Sequence, residues 1–86
     1  MTEDRETRLR RLRIRCWRRG TKEMDLLFGR YADQAIDDLS DAELDAFEHL
    51  MDQSDNDLYL WISGAETVPR PFGAAVDRVR AFHGIG

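Results

Sequence analysis

The chain has 86 residues, a net charge of −4 and a lone cysteine, which points to a single domain over 1–86 and excludes an internal disulfide framework. A chain this short buries roughly 60–65% of the surface its unfolded form exposes, so a deep cleft walled by protein is excluded and binding or assembly is favoured over catalysis. The charge is segregated: +5 over residues 1–23, −11 over 24–66 and +2 over 67–86, a dipolar pattern suited to oriented docking on a partner.

The opening "MTEDRETRLR" lacks an apolar h-region, and Glu3, Asp4 and Glu6 argue against a mitochondrial leader. No run of about 20 apolar residues occurs, so no membrane insertion is expected. With Cys16 unpaired, a reducing compartment, the bacterial cytoplasm, is the expected location. The first segment, about 5–18, alternates Arg-Leu-Arg-Ile-Arg-Cys over 11–16, which a strand would also show. Leu9, Leu12 and Cys16 at i, i+3, i+7, together with the helix propensity of Arg and Leu, predict a helix instead. Ile14 lies off that stripe and has no role in it. Gly20 is the expected C′ residue ending the helix.

A second helix is predicted over about 22–36, with Thr21 as N-cap and Met24, Leu27, Phe28, Tyr31 and Ala35 on its apolar face. Gly29 in its middle costs up to about 1 kcal/mol relative to Ala, which predicts a close packing contact there. The third helix starts on a capping box, Ser40 with Glu43, and a hydrophobic staple of Leu39 with Leu44; Phe47, Leu50 and Met51 continue its buried stripe. Ser54 caps a fourth, with Leu58, Trp61 and Ile62 inward and Gly64 at its end. Pro71 at the first helical position opens a fifth, with Phe72, Val76, Val79 and Phe82 toward the core and Gly84 closing it. The expected fold is all-α, a compact bundle of five short helices.

Catalytic and metal sites find no support in this pattern. "DQSDNDLYLWIS" is acidic but lacks the glycine and the twelfth-position glutamate of a calcium loop. Asp55 and Asp57 read as first-turn helix charges, and His49 and His83 have no matching ligand spacing. Cys16 on the apolar stripe reads as a buried, inert thiol. No phosphate cradle is present, so no cofactor is expected to be held by this chain alone. The run "RLRRLRIRCWRR" suits a phosphate backbone, with Trp17 stacking on a base. The acidic middle of the chain opposes that, and a flat-lying membrane helix would need a wider apolar stripe.

The junction Arg19-Gly20-Thr21-Lys22-Glu23 admits two readings. Arg18 and Arg19 near a helix C-terminus and Glu23 in the next first turn are where the macrodipoles favour their charges. The alternative is that the junction is a working surface. Here the sequence resembles a known family. "RRGTKEMDLLFGRYAD", then "LSDAELDAFEHLMDQSDNDLYLWISG" ending in "DLYLW", resemble over about 9–64 the SdhE family of FAD assembly factors, whose motif is RGxxE.

The resemblance implies a five-helix bundle that binds the flavoprotein subunit of succinate dehydrogenase or fumarate reductase. It implies further that the protein promotes covalent attachment of FAD to a histidine of that client. By this resemblance Arg19, Gly20 and Glu23 form the docking surface, with Thr21, Lys22 and Asp25 beside them; Trp61 matches a family position but packs better as core. The protein would then be a chaperone-like assembly factor, not an enzyme, with FAD belonging to the client and the free chain a monomer. The alternative is an arginine-helix module that binds nucleic acid or another protein.

Overall fold

The computed structural model describes residues 4–85, and every regular element among them is helical. Five α-helices, α1 (Arg5–Trp17), α2 (Lys22–Ala35), α3 (Asp41–Met51), α4 (Asp55–Ser63) and α5 (Gly73–Phe82), are supplemented by two 3₁₀ turns, Ile36–Asp38 and Arg70–Phe72. The all-α class with five helices is as the periodicity predicts. The chain forms two units, the first reaching to Asp38 and the second starting at Leu39.

The first unit is an antiparallel pair, α1 against α2. Asp4 caps α1, its Oδ1 accepting from the Thr7 amide at 2.7 Å. Leu12 and Cys16 are fully buried from α1, as are Phe28 and Ala32 of α2 and Ile36 of the turn that follows it, with Met24 and Tyr31 almost so. At the far end from the connecting turn, Arg13 forms an ion pair with Asp37, and Arg5 Nη2 donates to the Asp37 carbonyl at 3.2 Å. Helix α2 ends at Ala35, one residue before the expected Ile36, because the chain tightens there into the Ile36–Asp38 turn.

In the second unit, Ser40 and Glu43 form the complete reciprocal capping box of α3, with the Glu43 amide donating to Ser40 Oγ at 3.1 Å and the Ser40 amide to Glu43 Oε1 at 2.8 Å. Arg78 on α5 reaches the other carboxylate oxygen, Glu43 Oε2, at 3.1 Å. Ser54 caps α4 through the Asp57 amide at 3.2 Å. Leu44, Phe47, Leu50, Met51, Leu58, Trp61, Ile62, Val76 and Val79 are buried as expected, whereas Phe72 and Phe82, expected toward the core, are only half-buried. The start of α5 differs. Pro71 lies inside the Arg70–Phe72 turn and the α-helix begins at Gly73, while the Phe72 ring stacks on Trp61 at 5.3 Å. Proline fits the first turn of either helix type, so the sequence does not distinguish them.

Candidate functional site

The connection between α1 and α2 is organised by one carboxylate. Thr21, in extended conformation, caps α2 by accepting from the Met24 amide at 3.2 Å. One turn further on, Asp25 Oδ1 reaches back to accept from the Arg19 amide at 2.6 Å and the Gly20 amide at 3.4 Å. A short contact from a carboxylate to a backbone amide is charge-assisted and stronger than a neutral hydrogen bond.

That arrangement corrects the expected role of Gly20. Helix α1 ends at Trp17 with Arg18 as its cap, the Arg18 amide bonding back to the Arg15 carbonyl at 3.2 Å. A glycine-ended cap of the expected type would send the next two amides back to helix carbonyls. Here those amides, of Arg19 and Gly20, turn to Asp25 instead. Gly20 therefore lies two residues beyond the cap, with φ at 119°, a region L side chains rarely adopt.

Gly20, Thr21, Lys22 and Glu23 are exposed, and Arg19 and Asp25 are half-buried. The six residues singled out from sequence are thus one contiguous turn, with two different kinds of job. Asp25 is engaged inside it. The side chains of Lys22 and Glu23 have no ion-pair or hydrogen-bond partner among the described residues. Glu23 does sit in the first turn of α2, where the macrodipole favours its charge.

Behind the turn lies a contact of which residue spacing predicts only one partner, Gly29. Gly29 is buried, and a Cβ added there would fall 2.3–2.7 Å from three atoms of the Trp17 indole. The same indole Nε1 donates to both carboxylate oxygens of Asp33 at 3.2 Å. The predicted close contact at Gly29 is therefore made by Trp17. The nucleic-acid alternative has Trp17 stacking on a base, and here Gly29 and Asp33 already take one face and one edge of the indole. Its pairing with Gly29 joins residues on two helices, which periodicity within one helix does not reveal.

The arginines of α1 are also largely committed. Besides Arg13 and Arg5, Arg10 pairs with Glu6 at 3.7 Å, and Arg8, Arg11 and Arg15, like Arg19 beyond the helix, have partners of their own. Cys16 is buried, and burial pushes its thiol up to about 12 against the lowering influence of Arg19 and Arg15. A thiol at that value is almost wholly protonated near neutral pH and a poor nucleophile. His49 is exposed and His83 half-buried beside Phe82. Among the described residues, no group of three or more His, Cys, Asp or Glu side chains is placed to hold a metal ion, and no helix is long and apolar enough to cross a membrane.

A family model described as "Flavinator of succinate dehydrogenase" matches residues 10–83. The chain belongs to this family. The match runs beyond Gly64, where the resemblance read from motifs stops, and takes in α5. Flavinator relatives include succinate dehydrogenase assembly factor 2, mitochondrial, of Mycosarcoma maydis, 40% identical over 79% of this chain and 29% of the relative. The FAD assembly factor SdhE of Idiomarina loihiensis is 46% identical over 64% of this chain and 60% of its own length. That of Shewanella oneidensis is 39% identical over 71% of this chain and 73% of its own. The chain therefore spans under a third of the first of these relatives. No solved structure matches it.

Proposed function

We propose that this chain docks on the flavoprotein subunit of succinate dehydrogenase, or of fumarate reductase, and promotes covalent attachment of FAD to a histidine of that subunit. The observation that carries the reading is the Arg19–Glu23 turn, exposed from Gly20 to Glu23 and held by Asp25 from within, while the Glu23 carboxylate has no partner among the described residues. Arg19, Gly20 and Glu23 form the contact, with Thr21 and Lys22 beside them and Asp25 fixing the backbone that presents them. The names of the bacterial relatives support a helper of flavin assembly. The protein acts as a monomer in the bacterial cytoplasm.

No active site is needed for that role. A partner that binds the attachment-competent conformation of the flavoprotein more tightly than its other conformations raises the population of that conformation by the ratio of the affinities. FAD belongs to the client. A depression lined by Asp45, Ala46, His49, Pro71 and Phe72 measures about 220 Å³, below the ~300–1,000 Å³ of small-molecule sites, and it offers a carboxylate where a dinucleotide would need cations. The nucleic-acid alternative is opposed by the acidic middle of the chain, a balance of −11 over residues 24–66, which repels a polyanion.

The test combines purified apo-flavoprotein subunit, FAD and this chain, with covalent flavin read as in-gel fluorescence after denaturation. Labelling should rise strongly with the chain present, and FAD titrated into the chain alone should give no saturable change in flavin fluorescence. Labelling that ignores the chain, or tight binding of free FAD by it, would overturn the assembly reading in favour of another role or of a flavin carrier.

A further inference from the structure

Three large apolar side chains are exposed among the described residues: Ile14 at 50%, Trp17 at 37% and Tyr59 at 60%. Two of the three share one face of α1. At 100° per residue, Ile14 projects opposite the buried Leu12 and Cys16, with Arg10 and Arg18 one turn to either side and Trp17 at i+3. Arg10 and Arg18 are both exposed. Among the described residues Arg10 pairs with Glu6 alone, at 3.7 Å and with side chains 70% and 86% accessible. Such a pair is easily exchanged for a better one.

We infer that this outer face of α1, Arg10–Ile14–Trp17–Arg18, continues the docking surface of the Arg19–Glu23 turn and takes an apolar depression of the flavoprotein client rimmed by carboxylates. The inference rests on the docking role proposed above and extends it to residues outside the RGxxE motif. Three features support it. The face has the anatomy of an interface, an apolar centre with a charged rim. It is continuous with the turn, since Arg18 directly precedes Arg19. Its aromatic anchor is rigid before binding, because Gly29 and Asp33 fix the indole that remains part-exposed, which lowers the ordering cost of association. The cationic rim selects the chemistry of the occupant.

The experiment measures binding of purified flavoprotein subunit to the full chain by isothermal titration, for wild type, Ile14→Glu, Arg18→Glu, Tyr59→Glu and Gly20→Arg. Thermal unfolding of each variant is recorded alongside. Ile14→Glu should unfold like wild type, since the position is a helix surface where Glu is at least as helix-favouring, yet bind about tenfold or more weakly. Arg18→Glu should weaken binding and flatten its dependence on salt. Tyr59→Glu should bind normally.

If Gly20→Arg loses binding while Ile14→Glu and Arg18→Glu retain it, the extension is wrong and the turn alone is the docking surface. If none of the variants loses binding, the proposed function falls with it. Sedimentation showing a wild-type dimer that Ile14→Glu dissolves would assign the face to a second copy of this chain and overturn the inference. Retardation of a single-stranded RNA oligonucleotide at physiological salt, lost in Arg18→Glu, would overturn it in favour of nucleic acid.

Discussion

Helices α2 and α3 begin in nearly the same way and use their acidic residues in opposite ways. Each has a hydroxyl N-cap accepting from the third amide of its helix, Thr21 from Met24 and Ser40 from Glu43. In α3 the third residue is itself the glutamate, and Glu43 is consumed by the fold: it closes the capping box and pairs with Arg78. In α2 the third residue is the buried Met24, and the glutamate sits one place earlier, turned to solvent. The task of tying down the chain that leads into the helix falls to Asp25, which accepts from the Arg19 and Gly20 amides just before the cap and leaves Glu23 without a structural partner among the described residues. A helix start that closes on itself is architecture. One that is closed by a neighbouring residue and still presents a spare charge has the makings of a contact surface.

The comparison is broken most severely at Gly20. A side chain at φ 119° strains the turn by about 1–2 kcal/mol, and an arginine there would also obstruct docking. Gly20→Arg should remain folded with a lowered Tm and show no measurable client binding in titration. A smaller effect, on the scaffold behind the turn, is expected from Gly29→Ala. Its methyl would enter the Trp17 indole, and overpacking of this kind costs about 1–3 kcal/mol, against a helix-propensity gain of up to about 1 kcal/mol. Urea unfolding should therefore report a net loss of stability.

On the α3 side, Ser40→Ala should cost about 1 kcal/mol and leave client affinity unchanged. The smallest expected effect is on acid stability. The Ser40 amide, chiefly, and then Arg78 hold the Glu43 carboxyl below its usual 4.5. A depressed carboxyl stabilises the fold above its unfolded value and loses that contribution as pH falls through its folded one. Glu43→Gln should accordingly flatten the decline of Tm below about pH 4.5, seen by circular dichroism against wild type.

Much of this was legible from residue spacing. The caps at Thr21, Ser40 and Ser54, the buried stripes of α3 and α4, most of those of α2 and α5 and the close contact at Gly29 all follow from local rules, because capping and amphipathicity act within one or two turns. What escaped reading joins residues that are distant in sequence or compete for the same group. Trp17 meets Gly29 and Asp33 across the α1–α2 turn, and Arg13 meets Asp37, pairings that helical periodicity does not encode. Gly20 was displaced from its expected cap position because the Asp25 carboxylate outcompetes helix carbonyls for two amides, a charge-assisted bond against neutral ones. Within the candidate site, residue types and their order were readable. The division of labour between Asp25, which holds the turn, and Glu23, which is left over, was not.

The most direct test of that division compares Glu23→Gln with Glu43→Gln, each titrated with purified flavoprotein subunit and each unfolded thermally. A carboxylate that serves only the macrodipole is worth about 0.3–1 kcal/mol of stability, whereas truncating one member of a hydrogen-bonded charge pair at an interface costs about 2–5 kcal/mol of affinity. The account predicts that Glu23→Gln unfolds close to the wild-type temperature and binds its client at least about 30-fold more weakly, while Glu43→Gln loses stability and keeps its affinity. Equal losses of affinity in both variants, or none in Glu23→Gln, would contradict it.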